Sequence, residues 1–220
     1  MVNNNINIKS FEGVNAQLLL DVELREISKS GKRPRLLLHA CCAPCSSYVL
    51  EYLSRFFDIT LYFYNPNITP AEEYAYRAEE LSRLVFEMGL DEVASLVVSD
   101  YNSDEFYNIA SGLEDAPEGG ARCARCYRLR LEASAKYAAK CGFDYFTTTL
   151  SISPYKNSRW LNEIGAELSE EYGVKYLYSD FKKKNGYKRS CELSEMHGLY
   201  RQDYCGCEFS RIQRDKKNNH

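Results

Sequence analysis

The sequence lacks several features, and each absence argues against a class of protein. No apolar run approaches the ~20 residues that a membrane-spanning helix needs, so the chain is not expected to cross a membrane. Residues 1–10 are polar and carry no signal-peptide core, which favours a cytoplasmic protein. The formal net charge of −3 gives no bulk attraction to nucleic acid, so any RNA contact must use a local patch. No glycine-rich phosphate loop is present, which argues against ATP chemistry.

Cysteine, in contrast, is abundant, with nine among the 220 residues. In a reducing compartment, so many thiols indicate metal binding or redox chemistry rather than a disulfide framework. Cys141 and Cys191 stand apart from the others and are expected to pack in the core. The remaining seven lie near another cysteine in the sequence: Cys41, Cys42, Cys45, Cys123, Cys126, Cys205 and Cys207.

Alternating apolar strands and amphipathic helices predict a single α/β domain over residues 1–220, with a parallel sheet and helices on both faces. The predicted N-terminal helix lies within 1–30, and segment 181–210 is expected to complete a metal site as a helical C-terminal extension. Strands are predicted at 35–40, 58–64, 94–99, 145–150 and 174–178. Helices are predicted at 11–29, 46–57, 69–88, 103–110, 122–140, 157–172 and 190–200.

Three cysteines lie in the turn that follows the first predicted strand. In open α/β sheets this turn is at the carboxyl edge of the strands, where ligands bind. Neighbouring side chains of an extended segment point to opposite sides, so Cys41 and Cys42 are expected to chelate one ion poorly and to serve two centres. His39 precedes them and is either a ligand or, as we favour, a residue that orients the turn through a hydrogen bond.

The other four cysteines form two close pairs, Cys123/Cys126 and Cys205/Cys207. The first pair lies on one face of a predicted helix start, where the helix dipole favours thiolates. A lone C-x-x-C fits a redox pair or half of a zinc site. If all seven thiols converge, a [4Fe-4S] cluster takes four, and three remain for a metal with an open position. Two tetrahedral zinc sites remain an alternative.

Four motifs together resemble those of the QueH-type epoxyqueuosine reductases. They are His-x-Cys-Cys-Ala-Pro-Cys at 39–45, Arg-Cys-x-x-Cys-Tyr at 122–127, Thr-Thr-Leu-x-x-Ser-Pro-x-Lys at 148–156 and Leu-Tyr-Arg-Gln-Asp-Tyr-Cys-Gly-Cys at 199–207. The resemblance implies a fold like the adenine-nucleotide α-hydrolases. It also implies reduction of the epoxide of epoxyqueuosine at the anticodon wobble position of tRNA, giving queuosine. The implied cofactors are a [4Fe-4S] cluster and one additional iron, supplied with electrons by an external donor.

Carried over residue by residue, the resemblance assigns the cluster to Cys42, Cys123, Cys126 and Cys205. It assigns the single iron to Cys41, Cys45 and Cys207. Some relatives have aspartate in place of Cys45, and the thiolate keeps the negative charge while making the site softer. The reaction also needs a proton donor, for which Tyr127, Lys156 and His39 are candidates. Lys156 equally fits a phosphate-binding or a solvated lysine.

A basic run precedes the last cysteine pair and is either a solvated turn or an RNA-binding patch. Its members are Lys182, Lys183, Lys184, Lys188 and Arg189. The alternative function is a zinc-stabilised RNA-binding module without redox activity. A thiol–disulfide enzyme is a further alternative, but it needs only Cys123 and Cys126 and leaves five thiols unexplained.

Overall fold

The computed structural model of the protein describes residues 11–218. Its strands are β1 (Arg35–His39), β2 (Asp58–Phe63), β3 (Ala94–Val98), β4 (Tyr145–Thr148) and β5 (Lys175–Tyr176). Its helices are α1 (Ala16–Ser30), α2 (Ala43–Leu53), α3 (Ala71–Glu87), α4 (Asp104–Ala110), α5 (Ala121–Cys141), α6 (Ser158–Tyr172), α7 (Gly186–Met196) and α8 (Glu208–Asn218). A 3-10 helix (Thr149–Ile152) follows β4.

The five strands form one parallel sheet in the order β3-β2-β1-β4-β5. Strand order reverses between β1 and β4, because β2 and β3 lie on one side of β1 while β4 and β5 lie on the other. In a doubly wound sheet, such a reversal opens a crevice at the carboxyl ends of the two strands. The predicted α/β fold is therefore confirmed, and the cysteine-bearing turn after β1 lies at this crevice.

The β1 leucines show why helices cover both faces of the sheet. Leu36, Leu37 and Leu38 are all fully buried, as expected for a central parallel strand. Leu36 and Leu38 belong to the core that includes residues of α1, α2 and α3. Leu37, which points the opposite way, belongs to the core formed with α5 and α6.

The helix predicted from Ser46 begins earlier, at Ala43. Pro44 occupies the first turn, where its missing N–H costs no helical hydrogen bond. As a result, Cys42 is the N-cap residue and Cys45 belongs to the helix itself.

Other boundaries also differ from the predictions. β4 ends at Thr148 because its hydroxyl accepts a hydrogen bond from Leu150 N–H (3.1 Å), which starts the 3-10 helix. α7 begins at Gly186, where a Cβ would lie 2.0 Å from the Phe181 carbonyl oxygen. The predicted N-terminal helix starts at Ala16, and residues 1–10 of its segment lie outside the described range.

Two further differences concern the ends of the sheet and chain. β5 is restricted to two residues within the predicted 174–178. α8 follows the last cysteine pair and was not predicted.

Among residues 11–218, no helix is both long and apolar enough to cross a membrane.

Candidate metal centre

The turn after β1 gathers three thiols into one group. The sulfur atoms of Cys41, Cys42 and Cys45 all lie within 4.8 Å of one another. The Cys41 and Cys42 sulfurs are 3.7 Å apart, close to the ~3.8 Å expected between two sulfurs on one tetrahedral ion at a metal–sulfur distance of ~2.3 Å. The alternation of neighbouring side chains along a strand does not apply here, because β1 ends at His39 and the chain bends at Cys41 before α2 begins. Adjacent cysteines can therefore face one ion.

Cys42 is the thiol of this group that most readily ionises. Hydrogen bonds from the Cys41 and Cys45 thiols hold the pKa of Cys42 well below its ordinary value, and Arg77 lowers that pKa further against the effect of burial. The same contacts with Cys41 and Cys42, together with burial, raise the pKa of Cys45. A thiolate with two neighbouring thiols is a donor set that suits a metal ion.

The remaining four thiols line a small internal cavity together. Cys123 and Cys126 enter it from the first turns of α5, as their spacing predicted. Cys205 and Cys207 enter it from the segment before α8. Gly206, between them, has φ +109°, and a Cβ there would lie 2.9 Å from Ile68 and 3.2 Å from the Arg77 guanidinium. Only glycine avoids both the backbone strain and this close approach.

A larger cavity of about 500 Å³ opens beside the small one. Cys41, Cys45 and Cys205 line it, so thiols of both groups face the same space. Cys205 also lines the small cavity, as do Arg130 and Lys156. The seven thiols that the sequence singled out thus line two neighbouring cavities or lie within 4.8 Å of thiols that do, and Cys205 lines both cavities.

Buried cations surround these thiols. Arg77 and Arg130 are each 1% exposed, and an isolated buried charge is strongly unfavourable. Arg77 pairs through Nε with Glu73 Oε1 at 2.7 Å. Arg130 donates through Nη1 to the side-chain oxygens of Asn65 (3.2 Å) and Asn67 (2.9 Å), but its Nε and Nη2 have no partner among the described residues. Arg77 Nη2 is likewise without a partner there. The unpaired donors beside the cysteine sulfurs fit a negatively charged, thiolate-bound metal group.

Lys156 and Tyr127, two of the three candidate proton donors, lie at the thiols. Lys156 Nζ is 2.9 Å from the Cys205 sulfur and 3.5 Å from Glu118 Oε1. Burial opposes the charge, but Cys205, Tyr127 and Glu118 raise the pKa of Lys156 well above its usual value. The Tyr127 hydroxyl is buried without a partner in the described part of the chain, and burial raises its pKa.

His39, the third candidate, is engaged elsewhere. Its Nδ1 lies 2.9 Å from Thr148 Oγ1, and its Nε2 lies 3.2 Å from the Tyr64 carbonyl oxygen. Because that carbonyl accepts only, Nε2 carries the proton and Nδ1 accepts from Thr148. Burial and the nearby Arg130 charge lower the pKa of His39 to about 3, so the ring is neutral. This geometry favours the orienting role over proton donation.

The basic run before the last cysteine pair is largely ion-paired within the protein. Lys182 Nζ lies 3.0 Å from Asp180, and Lys184 Nζ lies 2.6 Å from Asp21. Arg189 binds both carboxylate oxygens of Glu51 through Nε and Nη2, at 3.0 and 2.6 Å. These pairs favour the solvated-turn interpretation over a free RNA patch.

Sequence patterns missed several residues at the large cavity. Arg77 and Arg130 lie on helices with no motif to mark them, and Glu118 lies in a loop identified only by its composition. Tyr155 and Tyr187 also line the cavity, and each is one of many tyrosines in the sequence. Only the folded chain places these side chains beside the thiols.

The fold and the site together define a class: a doubly wound α/β protein whose cysteines gather at the crevice of the sheet in a candidate metal centre. Residues 36–213 match the family model described as epoxyqueuosine reductase QueH. The chain therefore belongs to the epoxyqueuosine reductase QueH family.

Curated relatives agree with this assignment. The chain is 43% identical over 206 residues to the epoxyqueuosine reductase QueH of Streptococcus pyogenes serotype M1, covering 93% of this chain and 81% of that protein. It is 42% identical over 207 residues to the Staphylococcus epidermidis protein of the same name, covering 90% and 87%. It is 37% identical over 185 residues to that of Thermotoga maritima, covering 83% and 93%.

Proposed function

We propose that this chain is an epoxyqueuosine reductase that removes the epoxide oxygen of epoxyqueuosine at the anticodon wobble position of tRNA. The observation that carries the proposal is the convergence of seven thiols beside a cavity of about 500 Å³. Family membership supports the reaction. The cavity volume supports a substrate group of nucleoside size, since small-molecule sites usually enclose ~300–1,000 Å³.

The proposed cofactors are a [4Fe-4S] cluster and a single iron, held by four and three thiolates. On the division that the resemblance implies, Cys42 belongs to the cluster and Cys207 to the iron. If Cys42 and Cys207 exchange roles, four thiols still hold the cluster and three still hold the iron. The positions of the sulfur atoms support this exchanged assignment. Cys42 lies with Cys41 and Cys45, while Cys207 lines the small cavity. When bound, the cluster would pass on electrons from an external donor, and the single iron would act as a Lewis acid toward the substrate oxygen.

The chain's own residues must supply protons, because the reaction takes up two electrons and two protons and releases water. Lys156 is the proposed donor, since it faces both cavities and its raised pKa keeps it protonated at neutral pH. The alkoxide that forms as the ring opens is a stronger base than an amine, so the ammonium can protonate it. Tyr127 is the second candidate, because its unpartnered hydroxyl lies beside the same thiols.

The test of the proposed function is a conversion assay on tRNA that bears epoxyqueuosine. Protein loaded anaerobically with iron and sulfide is expected to convert the modified nucleoside to queuosine when a chemical reductant is added. Mass spectrometry of the digested tRNA measures the conversion. The control is the same protein loaded with zinc, which has no accessible redox change and should give no product.

Two outcomes contradict the proposal. One is equal conversion by the zinc-loaded protein, which would remove the redox role of the metal. The other is no conversion by protein with a full complement of iron. If that protein still bound tRNA, the result would favour the zinc-stabilised RNA-binding module.

A further inference from the structure

Two tyrosines with solvent-exposed ring surface lie at the mouth of the large cavity. Tyr155, in the turn between the 3-10 helix and α6, is 76% exposed. Within residues 11–216, no hydrogen bond from its hydroxyl and no ring–ring contact holds its side chain. Tyr187, on the first turn of α7, is 37% exposed and lines the same cavity. Large aromatic faces left in water at a cavity mouth are typical of binding surfaces.

The two phenols line the same cavity from different segments, Tyr155 from the turn before α6 and Tyr187 from the first turn of α7. Burial and the nearby Cys191 thiol raise the pKa of Tyr187. Arg201 also lines the mouth, and its Nη1 donates to Ser194 Oγ at 3.0 Å. The mouth therefore combines two aromatic faces with a fixed guanidinium.

The size of the cavity restricts what can enter it. A volume of about 500 Å³ accommodates one nucleoside but not a folded RNA loop. A nucleoside that reaches the thiols must therefore leave its stack with neighbouring bases. Leaving the stack costs free energy, and an aromatic side chain at the entrance recovers it by stacking on the base.

We propose that Tyr155 and Tyr187 form an aromatic clamp that stacks on the modified wobble base as it leaves the anticodon loop and enters the cavity. This clamp rests on the proposed function, because it takes the substrate to be a nucleoside within a tRNA loop. In this proposal, Arg201 at the same cavity supplies a positive charge for the phosphate next to the extruded nucleoside. The rings, rather than the phenol hydroxyls, carry the contact.

The clamp is tested by a double-mutant cycle in which the tyrosine and the wobble base are removed separately and together, and the affinity for RNA is measured. The probes are two fluorescently labelled RNA hairpins carrying the anticodon loop, one with epoxyqueuosine at the wobble position and one abasic there. We expect Tyr155→Ala to weaken binding of the first hairpin by about tenfold and that of the abasic hairpin by less than twofold. Tyr155→Phe keeps the ring and should bind both hairpins as the wild type does. Tyr187→Ala should resemble Tyr155→Ala.

The matched control is Phe86→Ala on α3. Phe86 is also 76% exposed but does not line the cavity, so this variant should bind both hairpins normally. An equal loss on both hairpins, or no loss on either, would overturn the clamp. If the wild type nevertheless reduced the epoxyqueuosine hairpin, the proposed function would stand and only the aromatic clamp would be wrong. A wild type that neither reduced this hairpin nor preferred it to a scrambled loop would overturn both.

Discussion

Replacing Cys126 by serine is expected to remove most of the bound iron and all measurable epoxide reduction. Cys126 is 7% exposed and faces the small cavity with Cys123, Cys205 and Cys207. Serine has nearly the same shape, so the fold should persist. Its hydroxyl, however, is a poor ligand for iron in a sulfur-bound cluster. The measurement is iron content together with absorption near ~400 nm after anaerobic loading.

The matched control is Cys141→Ser on the same helix. Cys141 lies at the opposite end of α5, about 22 Å along the helix axis from Cys126, and is half-buried beside Tyr137. This variant should keep its iron and activity within about twofold and lose no more than about 1 kcal/mol of stability. Equal loss of iron in both variants would show that helix integrity, rather than the ligand at Cys126, controls metal binding.

Replacing Lys156 by methionine is expected to lower kcat by about a hundredfold. This is the lower end of the rate enhancement that a general acid usually provides. Methionine keeps most of the side-chain volume and should leave the iron content unchanged. Lys156→Arg separates proton donation from charge, because arginine keeps the positive charge but does not release its proton. We therefore expect Lys156→Arg to be nearly as slow as Lys156→Met.

The control for this lysine is Lys175→Met, which should leave kcat unchanged. Lys175 lies on β5 and pairs at the surface with Glu23 of α1. Single-turnover rates with reduced, iron-loaded protein give the chemical step directly. Full activity in Lys156→Arg would contradict the role as proton donor. It would instead indicate that the positive charge of Lys156 matters through its contact with the Cys205 sulfur 2.9 Å away, leaving Tyr127 as the donor.

The sheet and the convergence of the cysteines were predictable because both depend on strong local patterns. The leucines of β1 read as a buried strand, and parallel strands bring their carboxyl ends to one edge. The C-x-x-C spacing placed Cys123 and Cys126 on one face of a helix start, as observed.

The charge distribution was not predictable, because it depends on partners distant in sequence. The sequence left the basic run open between a solvated turn and an RNA patch, and only the fold shows that Asp21 and Glu51 pair with Lys184 and Arg189. Arg77 and Arg130 resemble ordinary helical arginines until folding buries them beside the thiols. Cys42 lies on the same side as Cys41, contrary to the prediction, for a local reason: β1 has already ended, and α2 begins at Ala43 directly after Cys42.

The number of irons and sulfides per chain tests the central claim, that seven thiols hold a four-iron cluster and one further iron. The measurement is made on anaerobically loaded wild type, Cys42→Ala and Cys207→Ala. Wild type is expected to contain about five irons and four acid-labile sulfides.

On the division that the resemblance implies, Cys42→Ala loses the cluster and its sulfide, while Cys207→Ala loses only about one iron. The exchange supported by the sulfur positions predicts the reverse. Either pattern fits one cluster beside one iron. Two zinc ions per wild-type chain with no sulfide, or an unchanged iron and sulfide content in both variants, would contradict the claim.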